Sequence, residues 1–251
     1  MAVFDVHFDD GRIEMWAPPN TNPETLHHLL LDQVLPRLLA HQGHIVLHAG
    51  AVAMNDRAVA FVGTTGAGKS SLVASLHATG VPLLSDDGLI VRLNGDAVEG
   101  LATYASLRLW PDALEGLYPN GAPACAPMAH YTNKQRLLLD EHEVVRDARQ
   151  LAALYVIASG DEKAVNHVAI EPLSPRDTCM ALISNAFQLD PTDHDRARDL
   201  LTRASDVAER LPAFRLTYPR GYDRLPEVRA ALLEHQAALA PTTDEGARLS
   251  Q

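Results

Sequence analysis

Two groups of residues in this chain have the types and spacing for phosphate chemistry. The first is Gly63 to Ser70, GTTGAGKS, set between the apolar run AVAFV and the helix-like SSLVASLHA. It matches the phosphate-loop (Walker A) pattern, in which glycines let backbone N–H groups turn inward around phosphate oxygens while a lysine and a hydroxyl complete the cradle. On that pattern Gly63, Thr64, Thr65, Gly66, Ala67, Gly68, Lys69, Ser70 and Ser71 contact the nucleotide. Lys69 reaches the β- and γ-phosphates, Ser70 holds Mg²⁺, and the following helix adds its positive N-terminal end. A glycine-rich strand-to-helix turn that binds nothing is the bland alternative. The second group is Asp86 and Asp87, 17 and 18 positions after Lys69 at the end of VPLLSDD. A strand rising beside the phosphate-loop strand delivers these carboxylates to the γ-phosphate end of ATP. There one ligates Mg²⁺, directly or through water, and the other accepts the proton of an attacking hydroxyl. The competing reading of the pair is a solvated turn before Gly88.

The neighbouring patterns specify the elements that position these groups. IVLHAGAVAM and RAVAFVG are separated only by Asn55-Asp56, a strong turn pair, which predicts an antiparallel hairpin with Met54 opposite Arg57. That register brings His48 opposite Gly63, beside the phosphates. His48 then serves as a phosphate contact or as an orienting partner for the catalytic carboxylate, unless it is a satisfied strand histidine. The helix after the loop ends at Gly80, and LIVRLNGDAVEGL reads as a further hairpin through Asn94-Gly95. Arg108 lies between Leu107 and Leu109 ahead of Trp110-Pro111-Asp112. It either stabilises charge on a transferring phosphoryl group or pairs with Asp112 or Glu115. GAPACAPMAHYTN reads as a mobile connector over the site. Lys134 and Arg136 alternate with Gln135 and Leu137, so both project to one face, as contacts for nucleotide or substrate phosphate or as a solvated strand face.

Composition limits the alternatives. With 251 residues and 47% hydrophobic content the chain can bury a sizeable core, as one large domain or two small ones. A net charge of -11 argues against a general nucleic-acid binder, which needs a basic surface to displace counterions. Cys125 and Cys179 have no metal-ligand spacing and read as unpaired thiols of a reducing compartment. The acidic N-terminus lacks the form of a signal peptide and no run approaches a membrane span, so a cytoplasmic location is expected.

The ends of the chain carry less chemistry. Residues 3–8 and 12–16 predict a hairpin around Asp9-Asp10-Gly11. A helix capped by Asn22 follows from Pro23, and Pro36 kinks or divides it. His27, His28, His41 and His44 lack the supporting carboxylates and regular placement of a zinc helix, and read as surface or helix-end histidines. LAALYVIAS and AVNHVAIEPL predict a hairpin through Asp161-Glu162-Lys163. Helices are expected from Ser174-Pro175, over HDRARDLLTRASDVAERL and from about Glu227 to Ala240. The expected organisation is an N-terminal hairpin and helix (1–42), an ATP-binding catalytic core (43–190), a C-terminal helical part (191–240) and a disordered tail (241–251).

LHAGAV, GTTGAGKSS and LLSDD, with their mutual spacing, and YASLRLWPDAL resemble the catalytic domain of HPr kinase and its shortened, single-domain relatives. Some of those relatives accompany peptide-modification clusters such as those for lasso peptides. The resemblance covers roughly residues 34–190. Small-molecule kinases of the shikimate kinase type place acids at a similar distance, but their phosphate loop lies near the N-terminus and continues into a parallel sheet. The resemblance implies an α/β fold of the phosphoenolpyruvate-carboxykinase-like kind, with a mixed, largely antiparallel sheet flanked by helices. It also implies ATP and Mg²⁺ as cofactors and phosphorylation of a serine on a protein or peptide partner, with no nucleic acid or membrane involved and self-association left open. Asp86 is implied as general base, Asp87 with Ser70 as the Mg²⁺ side, and His48 as a neighbour of the phosphates. The chain departs from the full-length enzyme in lacking its large N-terminal domain, and near Leu107-Arg108 in lacking the acid of the Glu-x-Arg-Gly motif; if Ser106 stands in that place, the acidic metal contribution there is lost. HPr as substrate and the reverse, phosphate-removing reaction are therefore not implied. A kinase of a small metabolite and a nucleotide-dependent switch that only hydrolyses are the competing functions.

Overall fold

The computed structural model describes residues 2–8, 10–158 and 165–239. The expected hairpin forms as β1 (Val3–His7) and β2 (Arg12–Trp16), paired antiparallel. Asn22 caps α1 (Pro23–His28) by accepting from the Thr25 N–H at 3.1 Å, with Pro23 in the first turn. Leu29–Val34 is π-helical and runs into α2 (Leu35–His41). Pro36 explains the loosened turn: it has no N–H, and its ring crowds the carbonyl four residues back, at Asp32. The helix is thus divided rather than ended, and the π-turn falls where Asp32 will matter.

The rest of the chain runs β3 (Ile45–Leu47), β4 (Gly50–Met54), β5 (Arg57–Val62), α3 (Lys69–His77), β6 (Leu83–Ser85), β7 (Leu89–Asn94), β8 (Ala97–Ala102), β9 (Arg108–Leu109), α4 (Pro111–Leu117), β10 (Cys125–Pro127), β11 (Gln135–Leu137), β12 (Arg149–Ile157), β13 (Ala169–Pro172), α5 (Pro175–Ser184), α6 (His194–Ala208), β14 (Ala213–Thr217) and α7 (Leu225–Leu239). A nine-stranded sheet follows the order β3-β7-β8-β12-β5-β4-β6, with β14 beside β12 and β13 beside β14. β12 runs parallel to β5 and to β14; the other printed pairings in this sheet are antiparallel. The fold is therefore mixed α/β, with a mostly antiparallel sheet flanked by helices.

Both faces of the sheet are covered, which is why β5 and β12 read as near-continuous apolar runs. Their side chains divide by the period of two. Val59 and Phe61 pack into a core with α3, α4 and α7, while Ala58, Ala60 and Val62 pack into a second with α5 and α6. The loop from Gly63 leaves this doubly buried strand, so its mouth stands on a rigid base.

Several expectations need correction. The β7–β8 turn is Gly95-Asp96, since Asn94 is still paired with Ala97 and Gly95 takes φ +60°. β12 and β13 do not form a hairpin: β14 lies between them, and the expected turn residues 161–163 lie outside the described residues. Local pattern could not show that a strand from residues 213–217 would enter there. The segment expected as a helical part thus contributes a strand to the main sheet, and the tail at 241–251 also lies outside the described residues. The connector expected to be mobile contains β10, part of a small sheet of order β10-β11-β9. Cys125 and Cys179 are free thiols. Among the described residues, no helix is long and apolar enough to cross a membrane.

Candidate functional site

The β4–β5 hairpin has Met54 opposite Arg57, and β4 starts at Gly50 opposite Phe61. His48 and Gly63 lie two positions beyond that last pair, and Asn185 joins them. Its carbonyl accepts from the His48 N–H at 2.8 Å and its side-chain Oδ1 from the Gly63 N–H at 3.1 Å. Asn185 sits at the end of α5, so one residue fixes both strand ends. Beyond them Gly66 (φ +81°) and Gly68 (φ +97°) take left-handed conformations that side chains disfavour, which lets the loop curl back before α3. Lys69 is buried, and its Nζ donates to the carbonyls of Gly63 at 2.8 Å and Thr64 at 3.3 Å. Burial holds its pKa below the ordinary lysine value despite the pull of Asp87 and Asp86. From outside the loop the Arg220 guanidinium donates to the carbonyls of Ala67 and Ala158 and lies 5.5 Å over the Tyr218 ring.

β6 runs antiparallel to β4, with Ser85 opposite Ala51, and so carries the two acids to the loop. They occupy different environments. Asp86 is 1% exposed; its Oδ2 accepts from the Arg108 N–H at 3.1 Å, while its buried Oδ1 has no partner meeting hydrogen-bond geometry. Its pKa is pushed up to about 7, by burial first and then by the adjacent Asp87 charge, against Arg108 and the nearby Ser70 hydroxyl. Asp87 is more open: Oδ2 lies 2.8 Å from Arg108 Nη2 and Oδ1 lies 3.4 Å from His48 Nδ1. Burial lowers the His48 pKa more than Asp87 raises it, which favours neutral imidazole.

Arg108 pairs with neither Asp112 nor Glu115. Its guanidinium bridges Asp87 and Asp32, the latter bonded to Nη1, and it lies 5.5 Å from the Tyr104 ring. Asp32 in turn accepts from the Tyr104 hydroxyl at 3.0 Å and contacts His28 Nδ1. Burial works to raise the Asp32 pKa, but His28 and Arg108 outweigh it and hold the carboxyl below its usual range. Arg108 remains charged because Asp87, Tyr104 and Asp32 outweigh its own desolvation.

These groups surround a cleft of 480 Å³, of a size that suits a small ligand. Thr65, Gly66, Gly68, Lys69, Ser70 and Ser71 form one wall; His48, Asp87, Arg108 and Lys134 stand across it, with Trp110, Met128 and Tyr222 at its edges. Lys134 Nζ sits 5.5 Å over the Trp110 ring. Gly63 and Thr64 border an adjoining pocket with Asn185 and Phe187, and Ala67 is buried beneath the loop. Two expected residues are placed elsewhere. Asp86 lies behind the wall rather than on it, and Arg136 lines a separate cavity, so Lys134 and Arg136 share no common site.

His28, expected as a surface or helix-end histidine without a supporting carboxylate, is instead largely buried against Asp32 at the cleft, and residue pattern passed over Asp32, Asn185, Arg220 and Tyr222. Asp32 carried a signal, as an acid inside the apolar run LLLDQVL with a histidine four positions before it. The other residues are brought to the site only by tertiary packing.

The donor set suits a hard divalent cation. Ser70 and both acids offer oxygen only, and the buried Asp86 Oδ1 has no partner meeting hydrogen-bond geometry. Among the described residues no cluster of three or more His, Cys, Asp or Glu is arranged to hold a metal, so such a cation would draw on these few oxygens and on phosphate.

No family model and no curated protein matches the chain. Among solved structures it is similar to the HPr(Ser) kinase/phosphatase from Coxiella burnetii, with 12% identity, 76% of this chain and 98% of that chain covered, and a TM-score of 0.41.

Proposed function

We propose that the chain is an ATP- and Mg²⁺-dependent phosphotransferase that moves the γ-phosphoryl group to a hydroxyl, with a serine of a peptide or protein as acceptor. The observation that carries this reading is the joint placement of Asp87 with Lys69 and Ser70 on the walls of one cleft. Bound Mg²⁺ would offset negative charge on the phosphates, held by Ser70 and the Asp86 carboxylate.

Geometry comes before pKa in choosing a base, because the base has to reach the proton it removes. Asp86 has the raised pKa but is enclosed, whereas Asp87 faces the cleft. The roles implied by the family resemblance are therefore exchanged: Asp87 accepts the hydroxyl proton and Asp86 serves the cation side. Arg108 and neutral His48 hold Asp87 in place. As the acceptor oxygen bonds to phosphorus, the γ-phosphorus bond to the β–γ bridging oxygen breaks and its electron pair leaves with ADP. The acceptor proton passes to Asp87, and Lys69 offsets the charge on the phosphoryl oxygens.

A peptide acceptor is favoured by an adjoining apolar cavity, lined by Phe4, Leu29, Val34 and Tyr131, which shares Gln33 with the cleft. The test is incubation of the protein with γ-labelled ATP and separate peptide, protein and metabolite pools. Label on a serine of a peptide or protein is expected. Label only on a metabolite selects the small-molecule kinase, and phosphate release without a labelled acceptor selects the switch. Asp87→Asn is expected to retain nucleotide binding and to slow transfer by about 10²-fold or more; transfer at the wild-type rate would remove Asp87 as base.

A further inference from the structure

We infer that the cavity lined by Ser106, Arg136 and Arg146 is a second anion site, distinct from the phosphate loop, that takes a small phosphate-type oxyanion. The cavity measures 560 Å³, and Tyr104 and His27 also line it. In a chain with 32 acids against 21 lysines and arginines, no carboxylate lines it. Among the described residues neither Arg136 nor Arg146 has an ion pair, whereas Arg108, one strand away, has two.

Two observations point to an anion. Arg136 is half-buried on β11, paired in register with Arg108 on β9, and no carboxylate stands beside it in the cavity lining. Ser106 is 5% exposed, and its enclosed Oγ lies against the Tyr104 side chain rather than opening into the cavity. Arg136 and Arg146 line one cavity, and two planar guanidinium forks suit the tetrahedral oxygens of phosphate, which arginine binds two at a time. Leu31, Leu137 and Val144 form the apolar part of the lining, beside Thr103.

The two sites are separated within the structure. Tyr104 lines this cavity, Arg108 lines the cleft, and the guanidinium of one lies against the ring of the other. The second site is therefore a neighbour of the cleft with its own lining, and it is read with the loop kept filled. The experiment is a calorimetric titration with inorganic phosphate of protein saturated with Mg²⁺ and a non-hydrolysable ATP analogue, so that the loop is filled. One phosphate is expected to bind still. Arg146→Glu is expected to weaken it roughly tenfold or more, the scale of a lost hydrogen bond to a charged group, and Arg136→Ala to do the same. Arg146 is exposed, so its replacement leaves the fold intact, checked by an unchanged melting temperature. Lys69→Ala is expected to abolish analogue binding and to leave this phosphate bound. Absence of phosphate binding with the loop filled, equal affinity in Arg146→Glu, or a phosphate lost with Lys69→Ala alone would each overturn the inference. If the analogue fails to bind wild type, the loop reading fails, and the cavity is still judged by Arg146→Glu against wild type.

Discussion

Asp32 on the π-helical turn and Arg108 on β9 form a buried ion pair, and the same guanidinium holds Asp87. The N-terminal segment thereby sets the position of a carboxylate that local sequence connects only to β6. Asp32 acts through Arg108 and is a positioning residue.

Its removal should split stability from chemistry. Asp32→Ala leaves a buried arginine with one carboxylate, and breaking such a pair costs about 3–5 kcal/mol. Asp32→Asn keeps the shape and the Tyr104 hydrogen bond, and is expected to fold, to bind ATP with an unchanged KM and to lose kcat by roughly tenfold or more as Asp87 loosens. Asp32→Glu should recover part of that loss. A proportional fall in kcat and ATP affinity, with no rescue, would instead mark Asp32 as purely structural.

The raised pKa of Asp86 predicts how cation binding depends on pH. The group is protonated below about 7 in the folded chain, against 3.8 for the ordinary carboxyl. Because the folded form holds the proton more tightly, stability contributed by the neutral acid is present at pH 4 and is lost as pH rises through about 7. A cation at Asp86 has to displace that proton, so Mg²⁺ affinity should climb with pH across the same window and level off above it. Calorimetry in buffers of different ionisation enthalpy reads the released proton directly. Asp86→Asn should abolish both the proton release and the pH dependence; their survival would assign them to another group.

A side chain at Gly68 would be both strained and crowded. The residue has φ +97°, and a Cβ there would stand 3.0 Å from the Tyr218 hydroxyl and 3.3 Å from Arg220 Nη1. Gly68→Ala is expected to lower stability by about 1–2 kcal/mol and to weaken nucleotide binding, while Gly66→Ala, which has open space but φ +81°, should carry only the backbone cost. Comparing denaturant midpoints of the two variants separates strain from contact. Equal losses would show that Tyr218 and Arg220 do not press on the loop.

Short-range pattern made much of this architecture legible. Asn55-Asp56 specified the hairpin that aims His48 and Gly63 at one another, the glycines and Lys69 specified the loop, and the apolar VPLL specified the strand that brings the acids to it. What stayed hidden depends on long-range pairing. Nothing near residue 213 marks β14 as the strand between β12 and β13, and nothing near Arg220 marks it as a clamp on Ala67, because the partners are distant in the chain. Spacing alone did not separate Asp86 from Asp87; in the structure Asp86 is enclosed against the Arg108 N–H, while Asp87 faces the cleft between the Arg108 guanidinium and His48.

Trp110 offers a direct readout of the cleft. It is half exposed, lies 5.5 Å from Lys134 Nζ and lines the cleft, whereas Trp16, the other tryptophan of the chain, lies on β2 and does not line it. In Trp16→Phe protein the emission therefore reports Trp110 alone. Adding ATP with Mg²⁺ should draw Lys134 toward phosphate and change the contact of its cation with the indole, shifting intensity with a saturable dependence on nucleotide. Lys69→Ala should remove the response by removing the nucleotide. Lys134→Ala should keep nucleotide binding, weakened by roughly threefold to tenfold for one partly screened charge, and lose most of the spectral change. A response that persists in Lys69→Ala would place the nucleotide outside the loop.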